Sequence, residues 1–170
     1  MPLGTDYARQ DCSLARSLEV VGERWTLLIL RDCFWGVRRF SDFQTHLDIS
    51  KAVLSARLDA LVAHGLLTRS GDGHPDYALT EEALGLWPAI HALAQWGERR
   101  TTPGRPRRLF SHVGCGPLAV EGRCEACGRS PEPADIEIRP GPGADLTMRD
   151  DPVSVALREP HRLLTPLVVR

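Results

Sequence analysis

The chain has 170 residues, enough for one full hydrophobic core and a small appendage. Its 21 basic and 22 acidic side chains nearly cancel, which excludes the broad basic field of many nucleic-acid binders and leaves local placement as the only source of such attraction. The longest apolar run, residues 25–30, is too short to cross a bilayer, and the N-terminus lacks the basic start and apolar stretch of a secretion signal, so a cytoplasmic protein without a membrane partner is expected.

Residues 1–10 hold little to fix them and read as a mobile arm. Residues 13–21 read as a first helix with Leu14, Leu18 and Val21 on one face. Residues 23–34 read as a second, apolar on nearly every side, which suits a core post with Trp25 and Cys33 as packing residues. Gly36, Val37, Arg38 and Arg39 form a loop or short strand, where the two arginines suit either phosphate contacts or internal ion pairs.

Ser41 and Gln44 have the spacing of a capping box, which starts a helix at Ser41 that ends near Leu47. After a brief turn, Ser50 caps the next helix, and Gly65 stops it. Two helices joined so tightly cross steeply, as in a helix-turn-helix. On the second, Leu54, Leu58, Leu61 and Val62 give a buried side, and Lys51, Ala52, Ser55, Ala56 and Asp59 lie on or near the open one. Small residues let a helix enter a major groove, where Ser50, Lys51, Ala52, Ser55 and Arg57 can meet phosphates or base edges. Taken alone, the same residues also describe a solvated helix face.

Leu66 to Arg69 and Tyr77 to Leu79 are strands around a turn-rich tip, residues 70–75, which makes a wing. Arg69 and His74 on it are candidate DNA-backbone contacts. Thr80 then caps a long helix, acidic in its first turn and kinked by Pro88, whose apolar residues cover more than one stripe. The spare face suggests a two-fold subunit interface.

Residues 99–108 carry five arginines with proline and glycine and read as a basic linker. Beyond it, His112-x-x-Cys115-Gly116 and Cys124-x-x-Cys127-Gly128 have the spacing of two zinc knuckles, with four N/S ligands for a tetrahedron. An odd count of five cysteines in a reducing compartment fits metal binding or buried thiols better than disulfides. Residues 118–120 and 136–138 can supply flanking strands, giving a zinc-ribbon-like module over 109–143 with a structural Zn2+; reduced free thiols in a degenerate ribbon are the alternative. Residues 144–170 give only short apolar runs between prolines, with strands possible at 153–157 or 167–169. No G-x-S-x-G, phosphate loop or H-E-x-x-H occurs, so no catalytic residue and no enzyme are expected.

The fold class expected is therefore mainly α with a β-hairpin wing, a winged helix-turn-helix over 1–98, plus a small β-rich zinc-ribbon-like C-terminal module. Cys12, GERWTLLILRD at 22–32, GVRRFSDF at 36–43, ISKAVLSARLDALVAHGLL at 49–67, YALT at 77–80, Trp87-Pro88 and Trp96-Gly97 together resemble the HxlR family of bacterial winged-helix transcription regulators, relatives of the MarR type. The paired-cysteine tail ending near Gly141-Pro142-Gly143 is similar to tails of HxlR-like proteins of actinobacterial type. The resemblance implies a transcriptional regulator, by expectation a repressor, that binds double-stranded DNA as a homodimer with two recognition helices about 34 Å apart on a palindromic operator. The helix-turn-helix, the wing and the spare apolar helix face also lead to the expectation of a small-molecule effector at the crevice between the long dimerisation helix and the core. Some family members sense oxidants through a cysteine at the position of Cys12; a buried or idle thiol is the other reading of Cys12 here. The near-neutral charge leaves open a different class, a zinc-ribbon adaptor that binds protein and no DNA.

Overall fold

In the computed structural model, residue 7 and residues 9–169 are described. The arm expected over residues 1–10 falls largely outside them. The first part of the chain is helical: α1 (Ser13–Val21), α2 (Thr26–Phe34), α3 (Phe40–Leu47) and α4 (Lys51–Ala63) precede the wing strands β1 (Leu67–Ser70) and β2 (Asp76–Leu79), and α5 (Glu81–Leu84) and α6 (Trp87–Thr101) follow. The second part is mostly sheet: β3 (Arg108–His112), β4 (Gly116–Pro117), β5 (Ile136–Pro140), α7 (Pro152–Ala156) and β6 (His161–Arg162).

α2 is the post expected from its composition. Ile29, Leu30 and Phe34 are wholly buried, and Cys33 lies among them with its thiol pKa raised by burial and, secondarily, by the charge of Asp32. The helix begins at Thr26 rather than at residue 23, because Glu23 folds back so that its carboxylate accepts from the Trp25 N–H at 3.0 Å. α1 has the expected bounds, but Ala15 is its buried residue, and Leu14 and Leu18 face outward.

The capping box is not formed. Arg39, in extended backbone, is the N-cap of α3, and the Ser41 hydroxyl donates to Asp42 instead. The cause is non-local: Tyr77 of the wing donates its N–H to the Arg38 carbonyl, and Arg39 bridges Asp76, so the sheet fixes where the helix starts. The turn to α4 passes through Asp48 at φ 52°, a left-handed position that Asp tolerates. Ser50 caps α4, accepting from the Val53 N–H.

Thr80 caps only the short α5, and no kinked long helix follows. Pro88 sits in the first turn of the separate α6, where its missing N–H is an orphan donor anyway. The stretch expected as a linker is largely ordered. Residues 99–101 complete α6, Arg107 donates its N–H to Glu98 at 3.0 Å, and Arg108 opens β3.

The sheet order is β4-β3-β5-β6, all antiparallel, with Phe110 opposite Ile138 and His112 opposite Ile136. The strand expected at 136–138 is present, and residues 118–120 supply only a bridge from Leu118 to Cys124. Residues 153–157 do not form a strand: Asp151 caps and Pro152 opens a helix there, and the fourth strand comes from His161 and Arg162.

The two parts share one core. Phe110, Ile136, Ile138, Val153, Leu157 and Leu163 pack in the same cluster as Phe34, Phe43 and Leu58. Trp87 links them, with its ring centroid 5.2 Å from that of Phe34 and 5.7 Å from that of Phe110. The last residues cross back over the loop after α2, where Leu164 donates its N–H to Phe34 and Leu167 to Gly36. Gly36 has φ 88°, and a Cβ there would collide with the Thr165 carbonyl, so only glycine fits.

Candidate nucleic-acid interface and metal centre

α4 stands with Leu54, Leu58 and Leu61 buried and its opposite side open. Five of the nine residues expected to contact DNA, Arg39, Lys51, Ser55, Arg69 and His74, line one cleft of about 530 Å3 between α3, α4 and the wing. Lys51 and Ala52 are exposed at the N-terminal end of α4, the positive end of its dipole. Ser50 is exposed too, but its hydroxyl is engaged as the cap.

Arg38 and Arg57 are oriented differently. The Arg57 guanidinium turns back toward Glu23, Nε to Oε2 3.6 Å, and Arg38 is half-buried and donates to the Leu164 carbonyl at 3.4 Å. Carboxylates pair with two of these arginines: Asp59, which also lines the cleft, lies 3.7 Å from Arg69, and Asp76, outside it, lies 3.9 Å from Arg39. These exposed pairs are weak and easily exchanged for phosphate. Val53 was not among the expected residues; it is exposed beside Lys51 and Ala52, an apolar group of the kind that meets a thymine methyl. Its position one residue before the buried Leu54 is the sequence signal.

On the far side of α6, Leu93 and Trp96 are 52% and 54% exposed, and on α1 Leu14 is 66% exposed. Leu18 on α1 is exposed as well.

The second site is at the distal end of the C-terminal sheet. His112 ends β3, Cys115 lies in the turn to β4, and Cys124 and Cys127 lie in a tight turn closed by Gly128 at φ 72°. One ligand atom from each of the four lies within 4.8 Å of the others. The Cys115 and Cys124 sulfurs are 3.5 Å apart, as are the Cys127 sulfur and His112 Nδ1. A tetrahedral site with ligand bonds of about 2.0–2.3 Å has edges of about 3.5–3.8 Å, so the four residues fit a metal ion after small adjustments. The protonation pattern suits one also. The Cys127 backbone N–H, aided by that of Ala126 against the opposing effect of desolvation, lowers Cys124 to about 6. Hydrogen bonds with Cys124 and Cys127 raise Cys115 to about 11. One thiolate is thus available at neutral pH, held by the knuckle amides that the paired-cysteine spacing implies.

A helix-turn-helix with an attached β-hairpin wing, an open recognition helix and basic side chains gathered around it defines the class of winged-helix DNA-binding transcriptional regulators. Residues 20–104 match the HxlR-like helix-turn-helix family. The chain is 42% identical over 137 residues to an uncharacterized HTH-type transcriptional regulator of Mycobacterium tuberculosis, covering 77% of this chain and 87% of the relative. Among solved structures, PA1607 aligns with a TM-score of 0.60 and 35% identity over 72% of this chain and 89% of that one. The reduced form of the redox regulator HypR aligns with a TM-score of 0.50 and 26% identity over 53% and 95%. The chain belongs to the HxlR family of transcriptional regulators. No helix among the described residues is long and apolar enough to cross a membrane.

Proposed function

We propose that the chain acts as a homodimer that sets two copies of α4 into successive major grooves of a palindromic operator and represses transcription there. The observation that carries this reading is the convergence of Arg39, Lys51, Ser55, Arg69 and His74 on one open cleft beside the short-chained face of α4. The uncovered Leu14, Leu93 and Trp96 supply an apolar surface for the two-fold contact. Lys51, the only lysine of the chain, is assigned to phosphate, Ala52, Val53 and Ser55 to base edges, and Arg69 and His74 to the backbone beside the wing. Arg38 and Arg57 act as positioning residues unless they swing outward on binding.

Titrating the protein onto DNA from its own upstream region at two salt concentrations tests this. Lys51→Ala is expected to weaken binding about equally on all sequences and to lower the salt slope by about one, whereas Ser55→Ala relaxes base preference. Equal affinity of wild type and Lys51→Ala at both salts would remove α4 from the interface. A reporter fused to the bound promoter separates repression from activation.

The Cys/His cluster is assigned a structural Zn2+, with all four positions filled by protein and none left for chemistry. Native mass spectrometry should find one zinc per chain, and metal-free protein from chelator-free purification would leave the cluster as free thiols. Cys12, exposed at the N-cap of α1, is the candidate oxidant sensor, the role that the family resemblance implies for a cysteine there. Oxidant-dependent release of DNA that disappears in Cys12→Ser is the expected result.

A further inference from the structure

A second cleft, of about 480 Å3, opens at the other end of α3, bounded by α2, the start of β3 and α7. Guanidiniums of Arg31, Arg107, Arg108, Arg149 and Arg158 line it together with the imidazole of His46. Three of the five are matched by acids: Arg31 lies 2.7 Å from Asp32, Arg149 2.9 Å from Asp151 and Arg107 3.6 Å from Glu98. Arg108 and Arg158, both half-buried, have no carboxylate within ion-pair distance among the described residues. Their partners are main-chain oxygens only. Arg108 donates to Leu157 at 2.7 Å and Arg158 to Arg149 at 3.1 Å, and the Arg158 Nε is buried with no hydrogen-bond partner.

Crowding sharpens the imbalance. The Arg31 and Arg108 guanidiniums both lie against the Trp35 ring, at 4.5 and 5.2 Å from its centroid. Burial, and then the like charge of Arg31, lower the Arg108 pKa. The one acid on the cleft wall, Asp145, accepts the N–H and hydroxyl of Thr147 at its Oδ1 and lies within ion-pair distance of none of the five arginines. Half-buried charges without a counter-ion are costly, and an oxyanion seated among them would remove that cost.

We propose that this cleft binds a small molecule bearing a carboxylate or phosphate group, held chiefly by Arg108 and Arg158 with Arg107 at the mouth. The guanidinium fork matches either anion in a bidentate way, and the volume lies within the usual range of about 300–1,000 Å3 for small-ligand sites. The cleft shares no lining residue with the one beside the recognition helix. Its walls belong to α2, to the first helix of the helix-turn-helix and to the C-terminal module, which Arg149 already ties to the Thr45 carbonyl at 2.7 Å. Occupancy would therefore stiffen the seat of α3 and alter DNA affinity. That regulatory consequence rests on the DNA-binding reading; the anion site does not.

Calorimetric titration of the full chain with inorganic phosphate and with citrate, at constant ionic strength and without DNA, tests the site. The expected result is saturable binding of one anion per chain with Kd below about 1 mM, against none for chloride. Phosphate alone would assign a phosphate ester, and citrate alone a carboxylate. Arg158→Gln should weaken binding roughly tenfold or more, and Arg99→Gln, exposed on α6 outside both clefts, should not change it. Should Arg158→Gln fail to fold, the exposed Arg107→Gln carries the test, with a smaller loss expected. No heat beyond that of chloride, or unchanged affinity in the folded cleft variants, overturns the assignment. A fall in both DNA affinity and salt slope on Arg158→Gln with no anion present would make the cleft a DNA-phosphate contact and also overturn it.

Discussion

The wing and the knuckle end of the C-terminal sheet are both turn-rich tips, yet they are held by different means. The wing tip is anchored by strands whose Leu67 and Tyr77 are buried in the core, with Tyr77 edge-on to Phe43 at 6.4 Å between ring centroids. In the knuckle end, residues 113–131, Cys124 is the only buried residue. The near half of the same sheet, through Phe110, Ile136 and Ile138, enters the shared core. Apolar burial thus extends about halfway along β3, and beyond it the chain gathers around the His112, Cys115, Cys124 and Cys127 cluster instead of a packed core.

The largest effect is expected where both parts meet. Phe34→Ala removes a wholly buried ring in contact with Trp87 and should cost about 3–5 kcal/mol. Chemical denaturation followed by circular dichroism should show one transition for the whole chain. Two separated transitions would break the picture of a single core.

Next comes removal of the proposed Zn2+, or Cys124→Ser. Amide exchange should accelerate at least about tenfold across residues 113–131, while α4 amides keep their protection. Equal loss in α4 would mean that the cluster supports the whole fold and that the contrast drawn above is wrong.

Gly36→Ala should cost about 1–3 kcal/mol, because its φ of 88° and the Thr165 carbonyl both exclude a side chain. A lower Tm together with faster proteolysis within residues 163–169 is the expected pair of results. An unchanged Tm would show that the C-terminal segment yields without cost.

The smallest effect is a pH dependence. His91, buried with its ring 4.9 Å from that of Phe110 and with no hydrogen-bond partner at either nitrogen, has its pKa lowered by desolvation against a smaller opposing pull from the Ala119 backbone. A histidine depressed in the folded state binds protons more readily when unfolded. Its contribution to stability is complete above the unfolded value of about 6.5 and declines as pH falls through the folded one. His91→Phe should therefore flatten the acid side of the Tm profile; an unaltered slope would place the loss elsewhere.

What the sequence revealed follows the range of the interactions concerned. The bounds of α1 and α4, the Ser50 cap and the leucine stripe of α4 depend on neighbours within a turn or two, and all are as read. The convergence of His112, Cys115, Cys124 and Cys127 was equally legible, since each pair is local and the spacing alone brings it together. Ser41 failed as a cap because the wing, more than 30 positions later, sets the start of α3. Pro88 was read as a kink because the break at Gly85 and Leu86 is visible only from the packing of α6. Arg38 and Arg57 were sorted by charge, but their orientation is decided by Leu164 and Glu23, which no periodicity connects to them. The arginine cleft was illegible for the same reason, its walls being drawn from residues 31 to 158.

The strap formed by residues 163–169 has a bearing on how the chain is made. Arg38 meets Leu164 across 126 positions, so the loop leading into the first helix of the DNA-reading unit stays unlatched until residues 163–169 have left the ribosome. A growing chain would hold its helices early and close them late.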